Sequence, residues 1–307
     1  MNQPHPTCAA VVLNYNGRPL LQENLPSVIA AAQRVDGGCE VIVLDNRSTD
    51  GSVEFVRGNY PGVIVEVAPA SRVVFSYNGL LQRLRHKYVV LLNNDVRLRE
   101  DTLSVLLPPC TAPDVFAVSA VLLNSDGTQR RRVLARTHRG LLRTASAEAK
   151  AAGPTLDAGG ACTAFDREKF VALGGFDDLY WPYYWEDTDL SYVAWKRGFR
   201  VLVEPRSVAY HLHRGTIQSD EAGVIFNQNA HLFFWKNITD PAAVAKHIAW
   251  MPVLVPLRVV LFKWDYLRGL WRALRKLRPA LRRRREMKPL WTRTDAEVWA
   301  LANGDQQ

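Results

Sequence analysis

YVVLLNNDV, residues 88–96, is the stretch whose reading decides the fold. Its first five residues are an unbroken apolar run, the pattern of a strand buried on both faces, as in a parallel sheet covered by helices. The run stops at Asn93, Asn94 and Asp95. Ligands of open α/β sheets gather at the carboxyl ends of the strands, which makes these three candidate substrate-side residues. A strand running into an ordinary polar turn is the competing reading, because Asn and Asp are common turn formers.

Working outward, the same pattern repeats. Residues 8–13 (CAAVVL) stop at Asn14-Tyr15-Asn16-Gly17 before an amphipathic stretch over 18–34. Residues 40–44 (EVIVL) stop at Asp45, and NRSTD then supplies a turn and a helix cap before residues 51–57. Residues 63–67 and 76–85 complete the series before residue 88. Strands alternating with helical patterns indicate βαβ units and a parallel sheet. No G-x-G-x-x-G follows the first strand, which counts against a dinucleotide-binding fold.

On the far side, residues 100–107 read as a helix and 115–123 and 129–135 as strands. Residues 136–154 are polar, basic and weakly patterned, so the expectation there is a loop or mobile flap. DAGGACT, residues 157–163, is rich enough in glycine to let a backbone approach a ligand closely, and a tight turn before a strand is the alternative. Residues 166–173 read as a short helix stopped by Gly174-Gly175. WEDTDL, residues 185–190, follows the aromatic Tyr180, Trp181, Tyr183 and Tyr184. Its three carboxylates fall in the first turn of a short helix, where the helix dipole alone accounts for acids; beside aromatic planes they also suit a sugar-binding cleft. Residues 199–203 and 208–210 look like strands leading into His211 and His213, either of which could serve as a base or ligand.

The chain has 307 residues, 48% of them hydrophobic, enough for one large α/β domain and an appendage. Four scattered cysteines without a CxxC pair argue against a zinc knuckle or disulfide framework and fit a reduced compartment. The N-terminus lacks a signal-peptide pattern, and no stretch comes close to about 20 apolar residues, so the chain is expected neither to be secreted nor to cross a membrane. The formal charge is +9, but residues 258–288 hold twelve Lys/Arg against Asp265 and Glu286, a net +10; the remainder is close to neutral. Helices are expected over 221–235 and 241–250, with Pro252 and Pro256 breaking the pattern. From Val260, apolar residues Trp264, Leu267, Trp271, Leu274, Leu277 and Leu281 recur every three or four positions among Arg and Lys. A cationic, tryptophan-bearing helix of this kind suits the headgroup layer of an anionic membrane. Packing on its own domain and a nucleic-acid arm are the alternatives, the latter disfavoured because tryptophans at helical spacing seek an apolar medium.

Together these segments resemble the family 2 glycosyltransferases of GT-A fold, and more narrowly their bacterial rhamnosyltransferase-like members, over roughly residues 10–216. VVLNYNG (11–17), VLDNRSTDGS (43–52), LLNNDV (91–96), GGACTAFDREKFVALGGFDD (159–178) and WEDTDL (185–190) match the family's motifs in order, and His211 follows before Gly215-Thr216. The resemblance implies a mostly parallel GT-A sheet flanked by helices over residues 1–218, with a helical, basic extension over 219–307. It implies nucleotide-sugar contacts from Asn14, Asn16, Asp45, Asn78, Asn93 and Asn94, acceptor contacts from Gly159, Gly160 and Trp185, and a divalent metal, Mg or Mn, on Asp95 and His211. Asp187 is implied as the base for an inverting displacement, with Glu186 and Asp189 in support. The implied reaction moves a sugar from a dTDP- or UDP-sugar to a lipid-linked or polysaccharide acceptor of the cell envelope. It would take place on the cytoplasmic face of the membrane, with no nucleic-acid partner and with a homo-oligomer left open.

Some positions depart from the family pattern. Asn93-Asn94-Asp95 has one carboxylate where relatives often have two, Ala70-Ser71-Arg72 stands where an Asn and a Gly are usual, and Val193 stands where an Arg is frequent. No Q-x-x-R-W follows the acidic motif, which speaks against a processive polymer synthase. His213 competes with His211 as a metal ligand. A non-catalytic membrane- or nucleic-acid-binding protein with a degenerate transferase domain is the rival reading.

Overall fold

Period-two burial on both faces is what makes the central strands a sheet with two cores. In β1 (Cys8–Asn14), Ala9 and Val11 face one core and Ala10 and Val12 the other. The computed structural model describes residues 7–124, 126, 128–130, 132–159, 161–211 and 221–304. After β1 come α1 (Arg18–Gln33), β2 (Cys39–Asp45), α2 (Ser52–Asn59), β3 (Ile64–Val67), α3 (Ser76–Arg83), β4 (Tyr88–Asn93), β5 (Val96–Leu98), α4 (Thr102–Cys110) and β6 (Val115–Asn124). The chain continues through β7 (Gln129–Arg130), β8 (Arg132–His138), β9 (Leu141–Ala147), β10 (Gly153–Pro154), β11 (Cys162–Asp166), α5 (Arg167–Ala172), α6 (Glu186–Lys196) and β12 (Arg200–His211). It ends in α7 (Ala222–Asn237), α8 (Pro241–Val260), α9 (Trp264–Arg275), α10 (Leu277–Met287) and α11 (Asp295–Asn303).

The main sheet has the order β10-β12-β6-β11-β4-β1-β2-β3, with β5 beside β12 and β7 beside β6. Strands β1 to β4, β6 and β12 run one way, and β11 runs against its neighbours β4 and β6. This is a mixed α/β sheet flanked by helices. Helices α1, α2 and α4 cover one face through Leu21, Leu25, Val56, Leu103 and Leu106. The other face carries α3, α5, α6 and α7 together with parts of α9, α10 and α11, so Ala273, Ala280, Val298 and Ala302 share one core with Val11 and Leu91. Each fully buried Val or Leu contributes about 1.5–3 kcal/mol here.

Five expectations change. Residues 136–154 are ordered: β8 and β9 pair in register from Arg132↔Ala147 to His138↔Leu141, because Val133, Ala135, Leu141 and Leu142 have an apolar face to bury. The two short strands expected over 199–210 are one strand, β12, interrupted by a register shift between Glu204 and Val208. Helix α8 runs through Pro252 and Pro256 to Val260, since both prolines lie on its exposed side where carbonyls released from the ladder face outward. At 20 residues it is long and apolar enough to cross a membrane by length and composition, against the expectation that no such stretch exists. The single amphipathic helix expected from residue 260 is two, α9 and α10, and the side packed on α7 is Tyr266, Gly269, Leu270 and Ala273; Trp264, Trp271 and Leu274 face out. Gly269 permits that packing, because a Cβ there would lie 2.7 Å from the Val224 carbonyl.

Candidate active site

The carboxyl ends of β1, β2 and β4 form a continuous polar floor. Asn14 and Asp45 are register partners, and Asn14 Nδ2 donates to Asp45 Oδ2 at 2.9 Å. Asn94 Nδ2 donates to Asn14 Oδ1 at 2.8 Å, and the Asn94 carbonyl accepts from Asn24 at 3.0 Å. Ser48 closes the other side: its amide donates to Asp45 Oδ1 and its hydroxyl to Asp45 Oδ2, both at 2.7 Å, while its oxygen accepts from the Asn16 amide at 2.8 Å. Asn16 Oδ1 in turn accepts from the Thr49 amide at 2.8 Å. Asn14 and Asp45 are therefore enclosed, and the turn they brace presents Tyr15, Asn16 and Arg47 outward. Gly17 is required: a Cβ there would meet Asn94 Nδ2 at 2.2 Å and Asn14 Oδ1 at 2.6 Å.

The floor continues toward β12. The Asn93 amide donates to the Ala161 carbonyl at 3.2 Å, which ties it to the glycine segment; Gly159 is buried there, and Gly160 lies outside the described residues. Antiparallel pairing of β5 with β12 sets Val96 opposite His211, and this brings His211 Nε2 to 3.3 Å from Asp95 Oδ1. The expected Asp95 and His211 thus meet, although they are 116 positions apart. His213 lies outside the described residues. Asn78 does not join the floor: Nδ2 donates to the Phe176 carbonyl at 2.8 Å and Oδ1 accepts from the Phe176 amide at 2.9 Å, so both polar atoms hold one loop in place.

The acidic turn reaches the same edge because α6 runs back along the sheet from it before β12 begins. Tyr184 and Trp185 are both left-handed (φ 71° and 75°), a conformation costly for aromatic residues. Asn229 on α7 holds them: its Nδ2 lies 2.9 Å from each of the Tyr180, Tyr183 and Tyr184 carbonyls. Trp185 is buried against Phe226 and Phe233, at ring distances of 5.7 and 5.0 Å, so the exposed rings of this cluster are Trp181 and Tyr184. Asp187 Oδ1 accepts from the Thr188 amide at 2.7 Å, and the Thr188 hydroxyl donates to Asp157 Oδ2 at 2.9 Å, which fastens the acids to the start of the glycine segment.

The three carboxylates have three different environments. Asp189 is buried and its oxygens accept from Lys236, Tyr180 and Asn237 at 2.6–2.7 Å. Glu186 has an enclosed Oε2 without a partner among the described residues. Burial, then repulsion from Asp187 and Asp189, raises its pKa from the ordinary 4.5 to about 8, so it is neutral at pH 7. Asp187, like Glu186, is partly exposed, and its Oδ1 accepts from the Thr188 amide. The raised Glu186 pKa has a measurable consequence. Between about pH 4.5 and 8 the folded chain keeps a proton that the unfolded chain has released, so stability should fall as pH rises through that window. Glu186→Gln should abolish a decline of about 2–4 kcal/mol in urea melts, and an unchanged pH dependence would refute the assignment.

A family profile described as glycosyltransferase like family 2 matches residues 5–230. The chain belongs to this glycosyltransferase family. No curated protein matches it significantly. Among solved structures, a mannosyltransferase from Pyrobaculum calidifontis, PcManGT, in complex with GDP-Man and Mn2+, superposes with a TM-score of 0.57 at 20% identity, over 99% of this chain and 89% of its own. S. aureus TarS with UDP-GlcNAc gives 0.58 at 14% identity, over 97% and 91%. GalNAc-T7 with UDP, GalNAc and Mn2+ gives 0.58 at 16% identity over 75% of this chain, which spans only 48% of that protein. At these identities the likeness is one of fold, and the fold is GT-A. In this glycosyltransferase two residues that brace the site carry no motif signal, Asn229 and Lys236, which act through chain-distant contacts; Ser48 lies inside the quoted VLDNRSTDGS without a role read from it. Thr188 and Asp157 sit inside quoted motifs, but their hydrogen bond joins positions 31 apart, which local pattern does not reveal.

Proposed function

We propose that this glycosyltransferase moves one sugar from a nucleoside-diphosphate donor, of the dTDP- or UDP-sugar type, to a hydroxyl of a lipid-linked or polysaccharide acceptor, with inversion. The observation that carries the reading is the single edge at which Asp95 with His211, the Asn14-Asp45 floor and the Asp187 turn converge. The turn braced by Asn14 and Asp45 would hold base and ribose through Asn16 and its neighbours, with Asn93 and Asn94 beside the diphosphate. Gly159 and the exposed Trp181 and Tyr184 rings would line the acceptor side.

Asp95 and His211 suit a divalent cation: one carboxylate oxygen and one imidazole nitrogen, 3.3 Å apart, form a donor pair that Mn2+ or Mg2+ accepts when diphosphate oxygens complete the set. Among the described residues no third His, Cys, Asp or Glu joins them. When bound, the ion offsets the charge that develops on the leaving diphosphate. Asp187 would take the acceptor hydroxyl proton as that oxygen attacks the anomeric carbon, and one direct displacement inverts the centre. Neutral Glu186 beside it avoids a second negative charge on the same turn and can donate a hydrogen bond to the acceptor.

Residues 1–218 would form the catalytic unit and 219–307 its membrane-facing extension. Supporting this, Val260, Phe262, Trp264 and Trp271 are 70%, 74%, 55% and 64% exposed, among the exposed Lys263, Arg268 and Arg275. Such a surface fits peripheral attachment to an anionic cytoplasmic leaflet. The deciding experiment is calorimetry of the purified chain against a panel of nucleotide sugars with and without Mn2+. Asp95→Ala should weaken Mn2+-dependent donor binding by at least about 10–100-fold, the loss already typical when only a partner of a metal ligand is removed. Donor binding that is indifferent both to EDTA and to this substitution would overturn the metal role.

A further inference from the structure

Away from the sheet edge, four side chains that can donate hydrogen bonds gather with no carboxylate among their electrostatic neighbours in the described residues. Arg143 lies on β9, Arg258 on the last turn of α8, Tyr266 on the first turn of α9 and His231 in the middle of α7. The Arg258 guanidinium sits 5.2 Å from the Tyr266 ring centroid, and the His231 ring is 5.5 Å from that of Tyr266. Arg258 Nε, the Tyr266 hydroxyl and both ring nitrogens of His231 are enclosed without a partner among the described residues. His231 and Tyr266 are buried, whereas the two arginines are half-buried and reach the surface. The neighbouring His247 is satisfied: Nδ1 donates to the Gly140 carbonyl at 2.9 Å and Nε2 accepts from Trp235 at 3.1 Å.

Charge points the same way. Burial and the adjacent Arg258 push the Arg143 guanidinium down, and Arg136 stands opposite Arg143 in the hairpin register. The closest acid in sequence, Asp265, faces Gly223, and Glu221 is taken by Arg268 and Arg272. Two like-charged guanidinium groups, with a phenol and an imidazole that can each donate, favour a ligand rich in acceptor oxygens that carries negative charge. A tetrahedral phosphate matches, since guanidinium forks bind it bidentately. The rim is apolar: Val259, Val260, Leu261, Phe262 and Trp264, which follow Arg258 directly, are all exposed.

We propose that Arg143, His231, Arg258 and Tyr266 form a phosphate-binding site that clasps the headgroup of an anionic lipid, with the 259–264 turn against its acyl chains. The site rests on the membrane-facing part of the proposed function and is independent of sugar transfer. The test uses the full chain with inorganic phosphate and with vesicles. Inorganic phosphate should raise the Tm above that in chloride of equal ionic strength, and Arg143→Gln and Arg258→Gln should lose this rise while melting no lower than the parent without phosphate, because repulsion is relieved. Tyr266→Phe removes one donor with little change in packing and should weaken phosphate binding even if an arginine variant fails to fold. On phosphatidylcholine vesicles doped with phosphatidic acid, the arginine variants should bind about 10-fold or more weakly than the parent, the scale of a lost charge-assisted hydrogen bond. A phosphate response lost in the variants with unchanged vesicle binding would make soluble phosphate the occupant and end the headgroup assignment. No phosphate response in the parent, or an equal one in all variants, would overturn the site. A parent that responds to phosphate but ignores every vesicle would keep the site and remove the membrane reading.

Discussion

Asp187→Asn should lower sugar-transfer turnover by about 10²–10⁴-fold, the span attributable to a positioned general base, with no change in melting temperature. Glu186 holds its proton to about pH 8, and Asp189 has both oxygens committed inside the protein, which leaves Asp187 as the carboxylate able to take a proton from an incoming hydroxyl. Thr188 and Asp157 keep its turn fastened beside the glycine segment, so the amide replacement should leave the backbone in place. Single-turnover kinetics on both variants check this. Transfer that survives Asp187→Asn but vanishes in a folded Asp189→Asn would reverse the assignment.

Lys236→Met should cost about 3–5 kcal/mol of stability, the usual result of stripping one partner from a buried ion pair. Lys236 Nζ lies 2.6 Å from Asp189 and 2.8 Å from Asp177, and all three side chains are largely or wholly enclosed. The two carboxylates raise the lysine pKa despite its burial, so it is charged. Arg283 on α10 adds a fourth member at 2.9 Å from Asp177. Removing the ammonium leaves two carboxylates facing each other out of water. Urea denaturation measures the loss, and adding Asp189→Asn to Lys236→Met should recover part of it. A loss below about 1 kcal/mol would mean that the pair behaves like an exposed one.

The strands and the site edge were legible because burial writes itself into local pattern. Residues 88–92 announce β4 by being apolar throughout, and the polar residues that end β1, β2 and β4 mark one edge without any knowledge of pairing order. What stayed hidden depends on contacts across the chain. Beyond the strand legible over 129–135, the rest of the β8–β9 hairpin is masked because Arg136, Thr137 and His138 are exposed and Leu141 and Leu142 alone of β9 are buried. Asn78 sits in a motif yet serves a loop, and Asp189 looks like Asp187 until Lys236 arrives from 47 positions downstream. Trp185 reads as a sugar platform, but Phe226 and Phe233 cover it.

Helix α6 is moored at both ends to late parts of the chain: Asp189 to Lys236, and Lys196 to Asp295 at 2.8 Å, with Tyr192 donating to the same carboxylate at 2.6 Å. During synthesis the acidic turn would leave the ribosome with its counter-charges still unmade, and about a hundred more residues must be translated before the second mooring exists. A nascent chain stalled at the nominal end of the catalytic unit would carry buried-type carboxylates with nothing to neutralise them. Competence for catalysis is thereby postponed until α7 to α11 have emerged, so that the sheet and the C-terminal helices become competent together.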